Sequence, residues 1–357
     1  MKPTSASPAV ATEDLEALVR RGAAAGASDV VADPQDDGSL AILARIDGLR
    51  DFLGRIPPTD AARAVARFKG LAGLPAYITE EPQDGVIPGK ALGLAGDCRL
   101  ACLPTVRGER LALRLPVLAR LPAPVNLGLT PPVLACLRQA LRRREGLVLV
   151  TGPTGSGKTT TIHSLLGELA AERTDLQIVT IEDPVERRIP GLAQVAVAPQ
   201  RNFGYAEALT ASLRQDANVL VVGEVRDRTT AAACLTAALT GHLVISTLHC
   251  GRASEAVRRL TDLGVDPDHL RSALSLVLAQ RLVRRRHAAC AGAGCAECRG
   301  GFLGRVPVTD VLDLDTANRQ RLAQGQAPVL LANLDDQAAA LVASGATTPA
   351  ELTRSLA

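Results

Sequence analysis

Between Gly146 and Thr160 the chain is constrained more narrowly than anywhere else. The apolar run Leu147-Val148-Leu149-Val150 leads into Gly152-Pro153-Thr154-Gly155-Ser156-Gly157-Lys158-Thr159-Thr160. This fits G-x-x-x-x-G-K-[ST], with an expected strand before it and an expected helix after it, the context a phosphate-binding loop needs. The glycines let backbone N–H groups turn inward on a phosphate chain, and the following helix start adds partial positive charge. Lys158 then reaches the β- and γ-phosphates, and Thr159 is the expected Mg²⁺ ligand. The chain is expected to bind a nucleoside triphosphate.

Composition sets the frame for that loop. The 357 residues allow two domains with substantial cores, and 47% hydrophobic with 22% charged residues is ordinary globular usage. A net charge of +3 favours neither nucleic acid nor an anionic membrane as the partner. No apolar run approaches the roughly 18 residues that span a bilayer, and the N-terminus lacks the apolar core of a signal peptide. The expectation is a cytoplasmic protein without direct membrane insertion, docked on a membrane only through partners. Of eight cysteines, five are scattered and Cys290, Cys295 and Cys298 are clustered. That distribution suits reduced thiols plus one local metal site better than a disulfide framework.

Read in order, residues 1–11 are expected to be a flexible arm and 12–120 a small α+β domain. Its expected elements are a helix from Thr12, a strand at Ser39–Ile46 ending in the turn Asp47-Gly48, and a helix at Thr59–Leu71. A turn at Pro82–Gly85 and strands at Arg99–Leu103 and Arg110–Leu115 follow. Residues 121–132 carry four prolines and a glycine and read as a linker. From 133 to 357 apolar strands (Leu147–Thr151, Leu176–Ile181, Val219–Val222, Leu243–Thr247) alternate with helices near Thr159–Ala171, Tyr205–Arg214 and Thr229–Leu239. A further helix is expected at Val277–Arg286. The fold class is α/β, with a buried, mainly parallel sheet and crossover helices in the second domain.

Enzymes with a phosphate loop place acidic groups at neighbouring strand ends. Here Glu182, Asp183 and Glu186 follow one strand, and Glu224 follows another. A glutamate so placed orients and activates water against a γ-phosphate. His242 and His249 bracket the next strand as possible donors to phosphate or to the carboxylates.

The loop, the Ile-Glu-Asp-Pro-Val-Glu stretch at 181–186, Leu213-Arg-Gln-Asp, Val222-Gly-Glu-Val-Arg-Asp227 and Thr240-Gly-His together resemble the secretion ATPase superfamily. The branch of closest likeness is the type II secretion and type IV pilus assembly ATPases. The likeness covers about residues 12–315, including Ala27-Ser-Asp29, Arg45-Ile-Asp-Gly48 and Pro82-Gln-Asp-Gly85. It implies a PAS-like first domain joined to a RecA-like ATPase domain, a homo-hexameric ring, and ATP held between the two domains. By the same resemblance Gly152–Thr160 bind ATP, Glu224 is the catalytic glutamate, and Glu182 and Asp183 form an acidic box. His242 and His249 form a histidine box, and Arg99 and Arg114 swing onto the γ-phosphate on closure, a role suited to charge developing in phosphoryl transfer. Two positions depart from the family pattern: Val30-Val31 stands for Ile-His after Asp29, and Thr210 stands for an arginine. The extra N-terminal domain of larger relatives is not expected here, since only eleven residues precede Thr12.

The resemblance further implies a partner, the inner-membrane platform protein of a pilus or secretion machine, and a structural zinc. Assembly ATPases carry two Cys-x-x-Cys pairs after a Leu-Val-Arg segment. Here Leu282-Val283-Arg284 leads to His287-x-x-Cys290, four residues, and Cys295-x-x-Cys298, so His287 replaces one cysteine in a Cys₃His insert at 287–298. Zn²⁺ accepts imidazole beside thiolates. The leading reading is an ATPase that powers pilin or pseudopilin assembly. The alternatives are a retraction motor of the same superfamily, which generally lacks the cysteine cluster, and a nucleotide-dependent scaffold that does not hydrolyse, against which Glu224 stands. A RecA-like nucleic-acid motor would use Arg138, Arg142–Arg144, Arg281 and Arg284–Arg286, but those runs lack the interleaved aromatics that stack on bases.

Overall fold

The computed structural model describes residues 14–116 and 121–356. The expected arm at 1–11 lies outside the described residues. The chain separates into two units, Met1–Arg120 and Leu121–Ala357.

The first unit runs α1 (Leu15–Ala24), β1 (Asp29–Pro34), β2 (Leu40–Ile46), β3 (Leu49–Ile56), α2 (Pro58–Leu71), β4 (Gln83–Ile87), α3 (Gly89–Leu92), β5 (Cys98–Thr105) and β6 (Gly108–Arg114). Among the described residues its strands form one antiparallel sheet in the order β3-β2-β1-β6-β5-β4. Asp47 and Gly48 both take positive φ, +48° and +83°, which suits the two-residue hairpin joining β2 to β3. Alternation decides which face is buried. Leu40, Ile42, Ala44 and Ile46 of β2 and Cys98, Leu100 and Cys102 of β5 share a core with Leu15, Leu18 and Val19 of α1 and Phe68 of α2. The stretch expected as a turn at Pro82–Gly85 is instead the start of edge strand β4, paired with β5. Gly85 and its turn-like neighbours are tolerated there because an edge strand keeps one side unpaired.

The second unit contains α4 (Pro131–Leu141), β7 (Gly146–Thr151), α5 (Lys158–Glu172), β8 (Ile178–Glu182), β9 (Leu192–Ala196), α6 (Tyr205–Ser212), β10 (Val219–Val222), α7 (Arg228–Leu239) and β11 (Leu243–Leu248). It continues with α8 (Glu255–Asp262), α9 (Pro267–Ala273), β12 (Leu274–Arg286), β13 (Phe302–Asp313), α10 (Thr316–Ala323), α11 (Leu334–Ala343) and α12 (Pro349–Leu356). A 3₁₀ turn at Pro124–Asn126 and the start of α4 occupy part of the expected linker. The strand order is β13-β12-β7-β11-β10-β8-β9, parallel throughout except for β13 against β12.

Every residue of β7, β8, β10 and β11 is buried, so these strands read as near-continuous apolar runs, interrupted by Thr180 and Glu182 in β8 and by Ser246 and Thr247 in β11. Their alternate residues enter two cores. Leu147, Leu149, Leu220 and Val222 pack with α6 to α9 on one face, while Val148, Val150, Val219 and Val221 pack with α4 and α5 on the other. The helix expected at Val277–Arg286 is instead the last ten residues of strand β12 (Leu274–Arg286). A short apolar run buried on both faces carries no period that separates helix from strand; pairing with β7 on one side and β13 on the other decided it.

Candidate nucleotide site

In a parallel sheet of this kind, ligands sit beyond the carboxyl ends of the strands. β7 ends at Thr151 and passes into the glycine loop, which closes on α5 at Lys158. Gly152, Gly155 and Gly157 have φ of +144°, +79° and +88°, backbone that only glycine adopts without strain. Lys158 Nζ donates to the carbonyls of Gly152 at 2.7 Å and Pro153 at 3.0 Å, so the lysine is folded back on its own loop. Burial pushes its ammonium below the usual range, against an upward pull from Glu224 and with a further push from Arg281. A phosphate would replace those two carbonyls with formal negative charge. Pro153, Thr154, Thr159 and Thr160 are exposed, while Ser156 is buried with its hydroxyl unpartnered.

Glu182, the last residue of β8, is 7% exposed and held from three sides. Thr180 Oγ1 donates to Oε1 at 2.6 Å, Gln194 Nε2 donates to the same oxygen at 3.0 Å, and His163 Nε2 lies 3.5 Å from Oε2. Burial pushes the His163 imidazole below its usual range, against the opposing pull of Glu182 and Glu186. Asp183, the next residue, is exposed. Two residues past β10, Glu224 pairs with Arg226 and lies 3.5 Å from His249 Nε2. Tyr205 packs beside it: a Cβ on Gly223 would stand 2.8 Å from the tyrosine hydroxyl, so Gly223 makes the space. Burial first, then the charges of Glu224 and Asp183, push the Tyr205 phenol to about 12, leaving it a proton donor.

The two histidines part company. His249 follows the carboxyl end of β11 and reaches Glu224. His242 precedes the amino end, its Nδ1 3.2 Å from the Ala237 carbonyl and its own carbonyl bonded to the Gly146 amide. Six residues of extended strand separate them, about 20 Å at 3.3 Å each. Within one chain His242 is therefore not at the phosphate loop, which corrects the expectation that both histidines serve it. A cleft of about 550 Å³ at that far end is bounded by Arg143, Ser275 and Arg319 and holds none of the loop residues.

In the first unit Arg99 of β5 stands directly opposite Arg114 of β6, on the outward face, and both are exposed. Arg114 Nε lies 3.3 Å from Asp29 Oδ1. Like charges placed opposite in an antiparallel pair repel, so this row favours an anion. Four arginines from the runs of the second unit are engaged internally: Arg138 is bidentate on Glu168 at 2.6 and 2.8 Å, Arg142 meets Glu172, Arg143 meets Asp313 and Arg284 meets Glu351.

At the tip of the β12–β13 hairpin, ligand atoms of His287, Cys290, Cys295 and Cys298 all lie within 4.8 Å of one another. The Sγ pairs Cys290–Cys298 and Cys295–Cys298 are 3.7 and 3.6 Å apart, and His287 Nδ1 is 3.6 and 3.3 Å from Cys290 and Cys295. A tetrahedron with Zn–S of about 2.3 Å and Zn–N of about 2.05 Å requires S···S of about 3.8 Å and S···N of about 3.6 Å. The four residues thus fit one tetrahedral ion. The short loop closes because Ala291, Gly292 and Gly294 take positive φ. Sequence patterns did not single out Gln280, His163, Gln194 or Tyr205, whose contacts arise only when separate elements pack together.

A parallel sheet with a phosphate loop at β7 and carboxylates at the carboxyl ends of β8 and β10 defines a RecA-like P-loop ATPase. The chain belongs to the family described as "Type II/IV secretion system protein", whose profile matches residues 5–354. It is 39% identical to the type II secretion system protein HxcR of Pseudomonas aeruginosa, across 95% of this chain and 76% of that one. Identity is 35% to the type IV pilus assembly ATPase PilB of Thermus thermophilus, across 91% of this chain but 39% of the relative's length. Among solved structures, the pilus retraction motor PilT with bound ADP superposes with a TM-score of 0.62 at 28% identity, across 96% of this chain and 92% of that one.

Proposed function

We propose that this ATPase is the motor of a type II secretion or type IV pilus machine, driving pilin or pseudopilin assembly from the cytoplasmic side of the inner membrane. The observation that carries the chemistry is the gathering of the glycine loop, Glu182, Glu224 and His249 at the carboxyl ends of adjacent strands β7, β8, β10 and β11. Glu224 orients a water for in-line attack on the γ-phosphorus; the new P–O bond forms as the bond to the β-phosphate oxygen breaks, giving ADP and phosphate. Lys158 and the loop amides hold the phosphates. Thr159 would hold Mg²⁺, which supplies charge neutralisation when bound. Arg99 and Arg114, a cationic pair on an exposed sheet face of the first unit, are the arginines assigned to neutralising the γ-phosphate, in a homo-hexameric ring. The partner is a platform protein in the inner membrane; among the described residues no helix is long and apolar enough to cross a membrane itself.

The cluster of His287, Cys290, Cys295 and Cys298 would hold a structural Zn²⁺, with all four positions filled by protein and none open to water. It supports assembly over retraction, although the retraction motor PilT superposes on this fold.

Glu224→Gln keeps shape and removes the carboxylate. It is expected to retain ATP binding and lower turnover by at least about a hundredfold. Arg99→Ala and Arg114→Ala should impair hydrolysis with ADP affinity kept. Near-parental turnover in Glu224→Gln would sink the assignment.

A further inference from the structure

Gln280 lies on β12 one residue beyond the pair Ala279–Thr151, level with the point where β7 gives way to the glycine loop. It is 2% exposed, and both ends of its amide are used. Nε2 donates to the Ser156 carbonyl at 2.6 Å, and Oε1 accepts from Thr161 Oγ1 at 2.9 Å. One amide therefore ties the last turn of the loop to the first turn of α5. Only a side chain that donates at one end and accepts at the other fits this place.

The same residue explains two glycines. A Cβ on Gly152 would stand 2.4 Å from the Gln280 carbonyl, and one on Gly157 would stand 2.8 Å from Gln280 Nε2. The bounding glycines of the loop are thus held bare by a neighbouring strand as well as by their positive φ. The Ser156 carbonyl and the Gly157 N–H share one rigid peptide plane. Pinning the carbonyl fixes the direction of that N–H, one of the donors a phosphate loop turns on its ligand.

We propose that Gln280 is a positioning residue for nucleotide binding: without touching the ligand, it fixes the orientation of the Ser156–Gly157 peptide and so the geometry of the phosphate cradle. This rests on the assignment of residues 152–160 as the phosphate loop. The test measures ADP affinity by calorimetry, with KM, kcat and melting temperature, on full-length Q280E, T161V and K158A. Q280E is isosteric and still accepts from Thr161, but its carboxylate cannot donate to the Ser156 carbonyl. The ADP Kd and the KM for ATP should each rise about tenfold, equivalent to about 1.4 kcal/mol, with kcat within about twofold and melting close to the parent. The defect should shrink as pH falls and the introduced carboxyl regains a proton to donate. T161V, which frees the amide but keeps its donor, should raise Kd by about threefold. Parental ADP affinity in Q280E, or a loss that merely follows the fraction unfolded, overturns the proposal. Undiminished binding in K158A would instead remove the loop assignment beneath it.

Discussion

The carboxylate of Glu351 fastens the C-terminal helix α12 to β12, and its removal has a calculable effect. Its side chain is fully buried. It accepts from the Arg284 amide at 3.1 Å, from Arg284 Nε and Nη2 at 3.0 and 2.8 Å, from Arg354 Nε at 2.8 Å and from Ser355 Oγ at 2.8 Å. Burial alone would raise its pKa, but the two arginines and these donors outweigh burial and bring it from 4.5 to about 2. At 1.36 kcal/mol per unit, this drop corresponds to about 3 kcal/mol. The cost of breaking a buried ion pair by removing one partner is similar, about 3–5 kcal/mol. Because the folded-state value is depressed, the contribution is complete above about pH 4.5 and lost as the pH falls toward 2. In a two-unit chain a single global unfolding free energy is poorly defined, so the Arg284 amide, which donates directly to Glu351, is the better reporter. In Glu351→Gln its hydrogen exchange should accelerate roughly a hundredfold at pH 7, and the pH dependence of its protection, after correction for intrinsic rates, should flatten. Protection within about threefold of the parent would refute the reasoning and show the contacts to be nearly neutral against solvation.

Two further outcomes are expected. Elemental analysis of purified protein should find close to one zinc per chain, falling in His287→Ala and Cys298→Ser; metal-free protein with equally protected hairpin amides would reject the site. His249→Ala should lower turnover by about tenfold or more through its contact with Glu224, whereas His242→Ala should leave ADP affinity unchanged and turnover within about threefold. Equal losses in the two variants would contradict their separation across the sheet.

The sequence by itself determined the elements whose instructions are local. The glycine loop announces its backbone through residue types that alone tolerate its φ angles, and β7, β10 and β11 announce themselves as near-continuous apolar runs followed by the glycine loop, a carboxylate and a histidine respectively. The Cys₃His set could be read because its ligands fall within twelve residues, and the hairpin then brings them to tetrahedral spacing. What only the tertiary structure decided depends on strand order. Because β12 inserts beside β7, Gln280 meets Ser156 and Thr161, more than a hundred residues away, and a segment expected to be helical becomes a central strand. Because β11 runs parallel to β7, only one of its two histidines reaches the phosphate end. Glu182 likewise acquires His163 and Gln194 from a helix and an edge strand that no periodicity links to it. Local patterns encode backbone conformation and the sidedness of each element. Which side chains meet is set by how the elements stack, and that is a property of the whole sheet.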